Sequence, residues 1–281
     1  MPLALITGAS TGIGRATTLR LARSGWTVLA GVRDVEAGEK LAAEEGAGRV
    51  RPLRLEITDP AEIAAATALV DGGGLGSAGL DALINNAGIG LGGPLELVAA
   101  EDLQRQFDVN VFAQVAVTRA LLPALRRSRG RIVFISSIGG RVAMGFTAPY
   151  AASKHAVEGI ADALRVELHR SKVQVALIEP GSVATPIWDK SRAEAARVQI
   201  PPQFEEFYRD VPAAMDKVLA DAARRGVAPE VVAATIERAL TARRMRARYV
   251  VGRDARVMLA LRSLLPTHMF DGFVRRALRV G

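Results

Sequence analysis

Short runs of apolar residues alternate along the chain with longer stretches in which apolar residues recur every three or four positions. The short runs predict strands. Because most of them are nearly continuous in apolar residues, we expect both faces of each strand to be buried. The predicted strands are Leu3–Ile6, Thr27–Ala30, Val50–Leu55, Ala82–Ile84, Arg131–Ile135, Val173–Ile178 and Tyr249–Val251.

The stretches between the strands have helical periodicity. They predict helices at Gly14–Ser24, Glu36–Glu45, Pro60–Val70, Glu101–Arg127, Pro149–Arg170 and Pro229–Ala242. This alternation predicts a doubly wound α/β fold, a parallel sheet with helices on both faces and right-handed crossovers. Residues 72–79 are predicted to form a surface loop, and residues 1–281 are predicted to form a single domain.

Two segments fall outside this alternation. Residues 182–226 mix prolines with aromatic and charged residues after the sixth strand, and such insertions often form a substrate lid. Residues 253–281 form a tail with the pattern of two amphipathic helices. The apolar residues expected to line a pocket are Met144, Phe146, Ile187, Trp188, Phe204, Phe207 and Tyr208.

The net charge of +8 is concentrated in the tail. Ten arginines and two aspartates lie between positions 243 and 281, and the preceding residues carry equal numbers of basic and acidic groups. A basic tail can contact an anionic membrane, nucleic acid or an acidic partner, or it can be an ordinary solvated or subunit-paired surface. It lacks aromatic residues interleaved with arginine, so no nucleic-acid partner is expected.

The composition excludes several kinds of chemistry. There is no cysteine and there are three histidines, which excludes a disulfide scaffold, a thiolate metal site and a cysteine nucleophile. We therefore predict no metal site. No basic segment precedes the first apolar run and no apolar stretch reaches about 18 residues, so we expect a cytoplasmic protein that contacts a membrane peripherally if at all.

The first predicted strand runs into Thr7–Gly14, where glycines occupy positions 8, 12 and 14. Such a turn lets the backbone approach a pyrophosphate, whose charge is stabilised by the N-terminus of the following helix. The spacing GxxxGxG differs from GxGxxG, and no Gly-Lys-Ser/Thr follows, so this is not a Walker loop. A helix capped after a tight turn would use the same residue types, and that alternative stays open.

The second strand is followed by Arg33. Folds that bind NAD usually place an acid at the end of this strand to bind the ribose 2′-OH, but Val32 takes that position here. An arginine suits a 2′-phosphate, and Arg15 on the first helical turn could assist. The sequence therefore favours NADP(H), whereas NAD(H) remains possible if Arg33 is a surface charge and Asp34 acts as the acid.

Tyr150 and Lys154 are one helical turn apart, so both point from the same face. A nearby ammonium lowers the pKa of a tyrosine from about 10, so the pair is predicted to exchange a proton near neutral pH. Ser137 follows the fifth strand at the carboxyl edge of the sheet, where ligands bind in open α/β folds. Its hydroxyl is expected to hydrogen-bond a substrate oxygen.

Together these residues resemble the motifs of the short-chain dehydrogenase/reductase family, in its compact one-domain form. The matching segments cover residues 3 to about 185 in the family's order. They are Thr7–Gly14 (TGxxxGxG), Asn85–Gly88 (NNAG), Asn110 (the central-helix asparagine), Ser137, Tyr150 and Lys154 (the catalytic trio), and Pro180-Gly181 with Thr185.

The resemblance implies a Rossmann-like sheet of seven strands in the order 3-2-1-4-5-6-7. It also implies hydride transfer between a nicotinamide and an alcohol or carbonyl carbon. Tyr150 would exchange a proton with the substrate oxygen, and Ser137 would orient that oxygen. Lys154 would hold the nicotinamide ribose and lower the pKa of Tyr150. Asn110 would help to hold a water that carries protons to solvent.

The expected cofactor contacts combine the turn, the strand ends and the resemblance. They are Gly8, Ser10, Thr11, Gly12, Ile13, Gly14, Arg15, Arg33, Glu56, Ile57, Asn86, Ala87, Gly88, Tyr150, Lys154, Pro180, Gly181, Val183 and Thr185. Glu56 stands where the family commonly has an aspartate, one methylene shorter, so a backbone group of Ile57 is the alternative contact.

The tail resembles, more weakly, the end of retinol, hydroxysteroid and 3-hydroxybutyrate dehydrogenases. A small or lipid-like apolar alcohol, ketone or aldehyde is therefore the expected substrate, and family analogy predicts a homodimer or homotetramer. The alternative is a redox-sensing regulator that binds a nucleotide without turnover. Such proteins usually lack part of the catalytic trio, and this chain retains all of it.

Overall fold

The computed structural model describes residues 1–72, 79–195 and 200–278, so most of the loop predicted at 72–79 lies outside the described residues. Within them, seven parallel strands form one sheet in the predicted order, β3-β2-β1-β4-β5-β6-β7. The strands are β1 (Leu3–Thr7), β2 (Thr27–Val32), β3 (Val50–Arg54), β4 (Ala82–Asn85), β5 (Arg131–Ile135), β6 (Gln174–Pro180) and β7 (Arg248–Val251).

Helices cover both faces of the sheet. They are α1 (Gly12–Arg23), α2 (Val35–Glu45), α3 (Pro60–Asp71), α4 (Ala100–Phe107), α5 (Gln114–Ser128), α6 (Ala148–Glu167), α7 (Ile187–Ala195), α8 (Glu205–Tyr208), α9 (Val211–Arg225), α10 (Pro229–Thr241), α11 (Arg253–Leu264) and α12 (Thr267–Leu278). Among the described helices, none is both long enough and apolar enough to cross a bilayer.

The nearly continuous apolar strands reflect two cores, one on each face of the sheet. In β1, Ala4 and Ile6 enter the core that α1 and α10 cover. Leu3 and Leu5 enter the opposite core, which α3, α5 and α6 cover. Because successive strand side chains point to opposite faces, a strand buried on both faces needs an apolar residue at every position.

The prediction of one helix over Glu101–Arg127 is wrong. A π-helical segment, Asp108–Ala113, separates α4 from α5. Inside this segment the side chain of Asn110 is buried and hydrogen-bonds the backbone of Ile89 through both of its polar atoms, each at 2.9 Å. A π-turn accommodates one extra residue and re-aims the side chains around it. The spacing of apolar residues in the sequence does not indicate this extra residue.

The tail predicted to be amphipathic forms α11 and α12 as far as residue 278. The inner face of α12 buries Phe270, Val274 and Leu278 in a third apolar cluster with Val142. Val142 lies between Ser137 and Tyr150 in the sequence. The tail therefore packs against the segment that joins these two predicted catalytic residues.

Candidate active site

A cavity of about 1660 Å³ lies along the carboxyl ends of the strands. Of the catalytic and cofactor-binding residues predicted from the sequence, Gly14, Arg15 and Asn110 do not line it. Those that do are Gly8, Ser10, Thr11, Gly12, Ile13, Arg33, Glu56, Ile57, Asn86, Ala87, Gly88, Ser137, Tyr150, Lys154, Pro180, Gly181, Val183 and Thr185. The sheet thus brings nearly all of them to one site.

The glycine turn after β1 is fixed by the chain that follows β4. Asn86 Nδ2 donates hydrogen bonds to the carbonyl oxygens of Thr7 and Gly8 at 2.9 and 3.0 Å. The amides of Asn86 and Ala87 donate to Thr7 Oγ1, each at 3.0 Å. A Cβ at Gly14 would lie 2.2 Å from the carbonyl oxygen of Gly8, so only glycine lets α1 begin this close to the turn.

The N-terminus of α1 is free for an anion. Thr11 is the N-cap residue, but its side chain makes no capping hydrogen bond, and the first turn carries no acidic residue. Thr11, Gly12 and Ile13 line the cavity at this point. First-turn amides and the helix dipole favour negative charge, so this wall of the cavity fits a dinucleotide's pyrophosphate.

Arg33 lines the cavity beyond the end of β2. Its side chain is 74% exposed, and its Nη1 lies 3.8 Å from Glu56 Oε2. The neighbouring Asp34 is used elsewhere, because its Oδ1 caps α2 by accepting the amide of Glu36 at 3.0 Å. Arg15 forms an ion pair with Glu44 rather than lining the cavity.

The catalytic trio lies at the other end of the cavity. Ser137 and Tyr150 are hydrogen-bonded to each other, and Ser137 Oγ also accepts the amide of Gly139 at 3.0 Å. Lys154 Nζ donates to the carbonyl oxygen of Ile135 at 2.8 Å and lies 5.8 Å from the centroid of the Tyr150 ring. Ser137 and Tyr150 can therefore act on one substrate oxygen, with the Lys154 ammonium beside the Tyr150 ring.

Burial has the largest effect on the pKa values of Tyr150 and Lys154. It raises the pKa of Tyr150, and the hydrogen bond with Ser137 opposes that change. Burial also lowers the pKa of Lys154 from 10.5 to about 8, against the charge of Glu158. In this structure loss of water is the largest effect on Tyr150, and the Lys154 ammonium is directed at the Ile135 carbonyl. The pKa of Tyr150 is therefore raised overall, and its lowering by Lys154 stays a prediction.

The buried Asn110 positions the chain rather than lining the cavity. In addition to its bonds with Ile89, its Nδ2 donates to Ser153 Oγ at 3.1 Å. Both amide hydrogens are thus used, and its role in holding a water stays a prediction. Sequence reasoning missed Ser153, although a serine on the inner face of the predicted helix beside Lys154 was a usable signal.

Comparison with known proteins agrees with this geometry. The profile of the short chain dehydrogenase family matches residues 2–196, well over half of the chain. The chain belongs to the short-chain dehydrogenase/reductase family. As a member it is an oxidoreductase that acts on CH–OH or C=O groups with a nicotinamide cofactor. The family resemblance of its motifs is confirmed, and the alternative of a regulator receives no support.

Three relatives illustrate its place in the family. The chain is 35% identical over 276 residues to the NADPH-dependent 3-dehydrocapnine reductase of Ornithobacterium rhinotracheale, covering 96% of this chain and 95% of the relative. It is 35% identical over 278 residues to retinol dehydrogenase 5 of Mus musculus, covering 95% and 85%. A solved short-chain dehydrogenase/reductase from Burkholderia phymatum, in complex with NAD, has a TM-score of 0.80 and 27% identity, covering 93% and 92%.

The apolar wall of this family member differs from the one predicted. Ile187 and Trp188 line the cavity as expected. Met144 and Phe146 instead pack on the third apolar cluster, and Phe207 is 67% exposed. The predicted Phe204 and Tyr208 also lie outside the lining, and sequence reasoning missed Leu91, Met215 and Leu219, which belong to it. Helical periodicity alone does not tell which neighbour each apolar face meets.

Replacing Lys154 by Met tests its burial. Lys154 has a pKa of about 8 in the folded state and 10.5 in the unfolded state, so the folded protein loses this proton at a lower pH. Between these two pH values the unfolded state binds more protons, and the free energy of unfolding of the wild type therefore increases as the pH rises. In urea unfolding we expect wild type to gain about 2 kcal/mol relative to Lys154→Met between pH 7 and about pH 10. The exposed Lys217→Met is the matched control, and a difference independent of pH contradicts the argument.

Proposed function

We propose that the protein is an NADP(H)-dependent oxidoreductase that acts on a small or lipid-like apolar alcohol, ketone or aldehyde. One observation carries the proposal. A single cavity has Ser137, Tyr150 and Lys154 at one end, an anion-binding helix N-terminus in the middle and Arg33 at the other end. This is the order of reactive ring, pyrophosphate and 2′-phosphate along the cofactor.

A bound nicotinamide supplies the hydride to a carbonyl carbon, or accepts it from an alcohol carbon. In the direction of reduction, the Ser137 hydroxyl holds the carbonyl oxygen and the Tyr150 hydroxyl donates its proton to that oxygen. The phenolate that remains is stabilised by the Lys154 ammonium and regains its proton from solvent. In the direction of oxidation, Tyr150 accepts the proton from the alcohol.

The preference for NADP(H) rests on Arg33. It is the cationic residue that lines the cavity at the strand ends of β2 and β3, and Asp34 is occupied as a helix cap. One relative is named as NADPH-dependent, whereas the Burkholderia phymatum structure contains NAD. An arginine that binds a 2′-phosphate contributes only to NADP(H), because NAD(H) has a hydroxyl at that position.

Arg33→Ala is expected to weaken NADPH binding about 10- to 100-fold, the loss of a charge-assisted hydrogen bond. NADH binding should change less than about threefold, because its 2′-hydroxyl offers no charge to pair. Calorimetric titration of both cofactors measures the two effects. Arg23→Ala, at the far end of α1, is the control. Equal losses for both cofactors would show that Arg33 does not read the 2′-phosphate.

Several apolar side chains line the cavity beside the catalytic residues. Leu91, Met215 and Leu219 line it together with Ile187 and Trp188. The segment 182–226 supplies most of these side chains, and Ser191 Oγ of α7 donates to the carbonyl oxygen of Gly90 at 2.9 Å. This segment is the proposed lid over an apolar substrate. Relatives named for 3-dehydrocapnine and retinol support a lipid-like substrate class.

Tyr150→Phe tests the reaction itself. With NADPH and a panel of apolar ketones and aldehydes of increasing chain length, we expect kcat to fall about 100- to 10,000-fold, the usual contribution of a general acid. NADPH affinity should stay within about threefold, since the phenol acts on the substrate. Tyr249→Phe, in β7, is the control. Wild-type protein that binds NADPH but turns over no carbonyl or alcohol would favour the regulator.

A cytoplasmic location and a homodimer or homotetramer complete the proposal, by analogy with the family. Light scattering on the purified protein measures the mass of the assembly, and a mass equal to that of the 29.8 kDa chain would contradict the oligomer.

We also propose that the outer face of the tail contacts anionic lipid. Exposed apolar side chains lie there among exposed arginines, and they are Val257, Leu264, Met269 and Phe273.

Vesicle sedimentation tests the lipid contact. The protein is expected to bind vesicles of phosphatidylglycerol and phosphatidylcholine, and to bind pure phosphatidylcholine weakly. Arg275→Gln with Arg276→Gln should weaken the anionic binding about 10- to 30-fold, at about 1 kcal/mol for each charge. Arg126→Gln with Arg127→Gln removes an adjacent pair from α5 and is the control. Equal binding to the anionic vesicles and to pure phosphatidylcholine would contradict the proposed contact.

A further inference from the structure

Behind the catalytic residues, three carboxylates meet the guanidinium of Arg248 in β7. Arg248 Nε lies 3.0 Å from Glu158 Oε2 and 3.0 Å from Glu179 Oε1, and its Nη2 lies 2.7 Å from Asp162 Oδ2. Arg141 approaches Glu179 Oε2 at 3.4 Å. The cluster joins α6, β6, β7 and the turn after β5, the elements that form the reactive end of the cavity.

This cluster holds more negative charge than its hydrogen bonds satisfy. The side chains of Glu158 and Glu179 are 7% and 0% exposed. Arg248 Nε donates its one N–H to Glu158 Oε2. Among the described residues, Glu179 Oε1 and Glu158 Oε1 are both buried without a hydrogen-bond partner. Burial and the nearby Glu158 raise the pKa of Glu179. A buried carboxylate that lacks partners is costly unless a cation lies close to it.

Arg248 is one such cation, and Lys154 is a second one on the same helix as Glu158. Glu158 follows Lys154 by one turn of α6, so the two side chains occupy the same face. Both are about 5% exposed. The turn after Ser137 packs over both residues, since a Cβ at Gly140 would lie 3.0 Å from Glu158 Cγ and 3.0 Å from the carbonyl oxygen of Lys154. Glu158 also opposes the effect of burial on the pKa of Lys154.

We propose that Glu158, held in place by Arg248, is a positioning residue that keeps Lys154 in its charged form. The inference rests on the proposed function for the role of Lys154 in catalysis. The charged and titratable groups on the elements packed at this end of α6 are Tyr150 and Glu158 on α6 itself, Glu179 on β6, Arg248 on β7 and Arg141 after β5, and Asp108 lines the same cavity.

The charge of Lys154 affects proton transfer by Tyr150. The phenolate of Tyr150 is stabilised by the ammonium of Lys154 only while that ammonium keeps its proton. A lysine with a pKa of about 8 is largely charged at pH 7, but only about half charged at pH 8. Without the Glu158 carboxylate, the neutral form of Lys154 would prevail at lower pH. Glu158 thereby widens the pH range in which Tyr150 can act.

The chain has five lysines, so the titration of Lys154 can be followed directly by NMR of protein labelled with ¹³C at lysine Cε. Lys154→Met assigns the signal. In wild type we expect a midpoint near pH 8. Glu158→Gln should move it down by about one pH unit, the effect of one charge removed at close range in a partly desolvated site.

Two further variants separate charge from packing. Glu158→Asp alters the fit against Arg248 but keeps the carboxylate, so the Lys154 midpoint should stay within about 0.3 pH units of wild type. Asp162→Asn removes another carboxylate from Arg248 one turn further away, and it should shift the midpoint less than Glu158→Gln does. The proposal is overturned if Glu158→Gln leaves the Lys154 midpoint unchanged, or if Glu158→Gln and Glu158→Asp shift it equally.

Should Glu158→Gln fail to fold, Glu158→Met provides the test, because it removes the same charge without placing an amide in the cluster. It should also lower the Lys154 midpoint by about one pH unit, and no change would overturn the proposal. The titration is made on protein without added cofactor. NADPH binding by the wild type is a separate measurement, so failure of the proposed function and failure of the Glu158 assignment can be told apart.

Discussion

The hydrogen bond from Lys154 Nζ to the Ile135 carbonyl oxygen places an ammonium group inside the protein, and the reactive end of the site is built around it. Ile135 is the last residue of β5, so this bond sets how closely α6 passes the end of the sheet. A short turn, Ile138–Gly140, packs against α6 at this point. The surrounding chain replaces lost water with a carbonyl, an aromatic ring and a carboxylate one turn away, and the lowered pKa of Lys154 shows that the replacement is incomplete.

The nucleotide end is built differently, mainly from backbone groups. The glycine turn is fixed by Thr7 and Asn86, and the anion site is the N-terminus of α1. Backbone groups bind a pyrophosphate whatever nucleoside is attached to it. Under the proposed function, discrimination between cofactors is therefore left to the side chains beyond β2 and β3, chiefly Arg33 and Glu56.

The sequence predicts the parts of this protein that depend on local patterns. All seven strands, the glycine turn and the Tyr150–Lys154 pair follow from spacing, because periodicity and turn chemistry are local properties. The π-helical segment was not predictable, since it depends on the contact of Asn110 with Ile89 across the fold. The same holds for the carboxylate cluster. A glutamate in the apolar strand β6 signals a buried charge, but its partner Arg248 lies 69 positions away.

The two ends of the site also depend on different parts of the chain for their support. The nucleotide end is held by the first half of the sheet, which the family profile covers. The reactive end is supported by α12 against Val142 and by Arg248 of β7, which both lie beyond that profile match, and by the segment 182–226, in which the match ends. In this chain the same C-terminal segment supplies the apolar cluster beside the catalytic turn and the arginine that holds Glu158 behind Lys154.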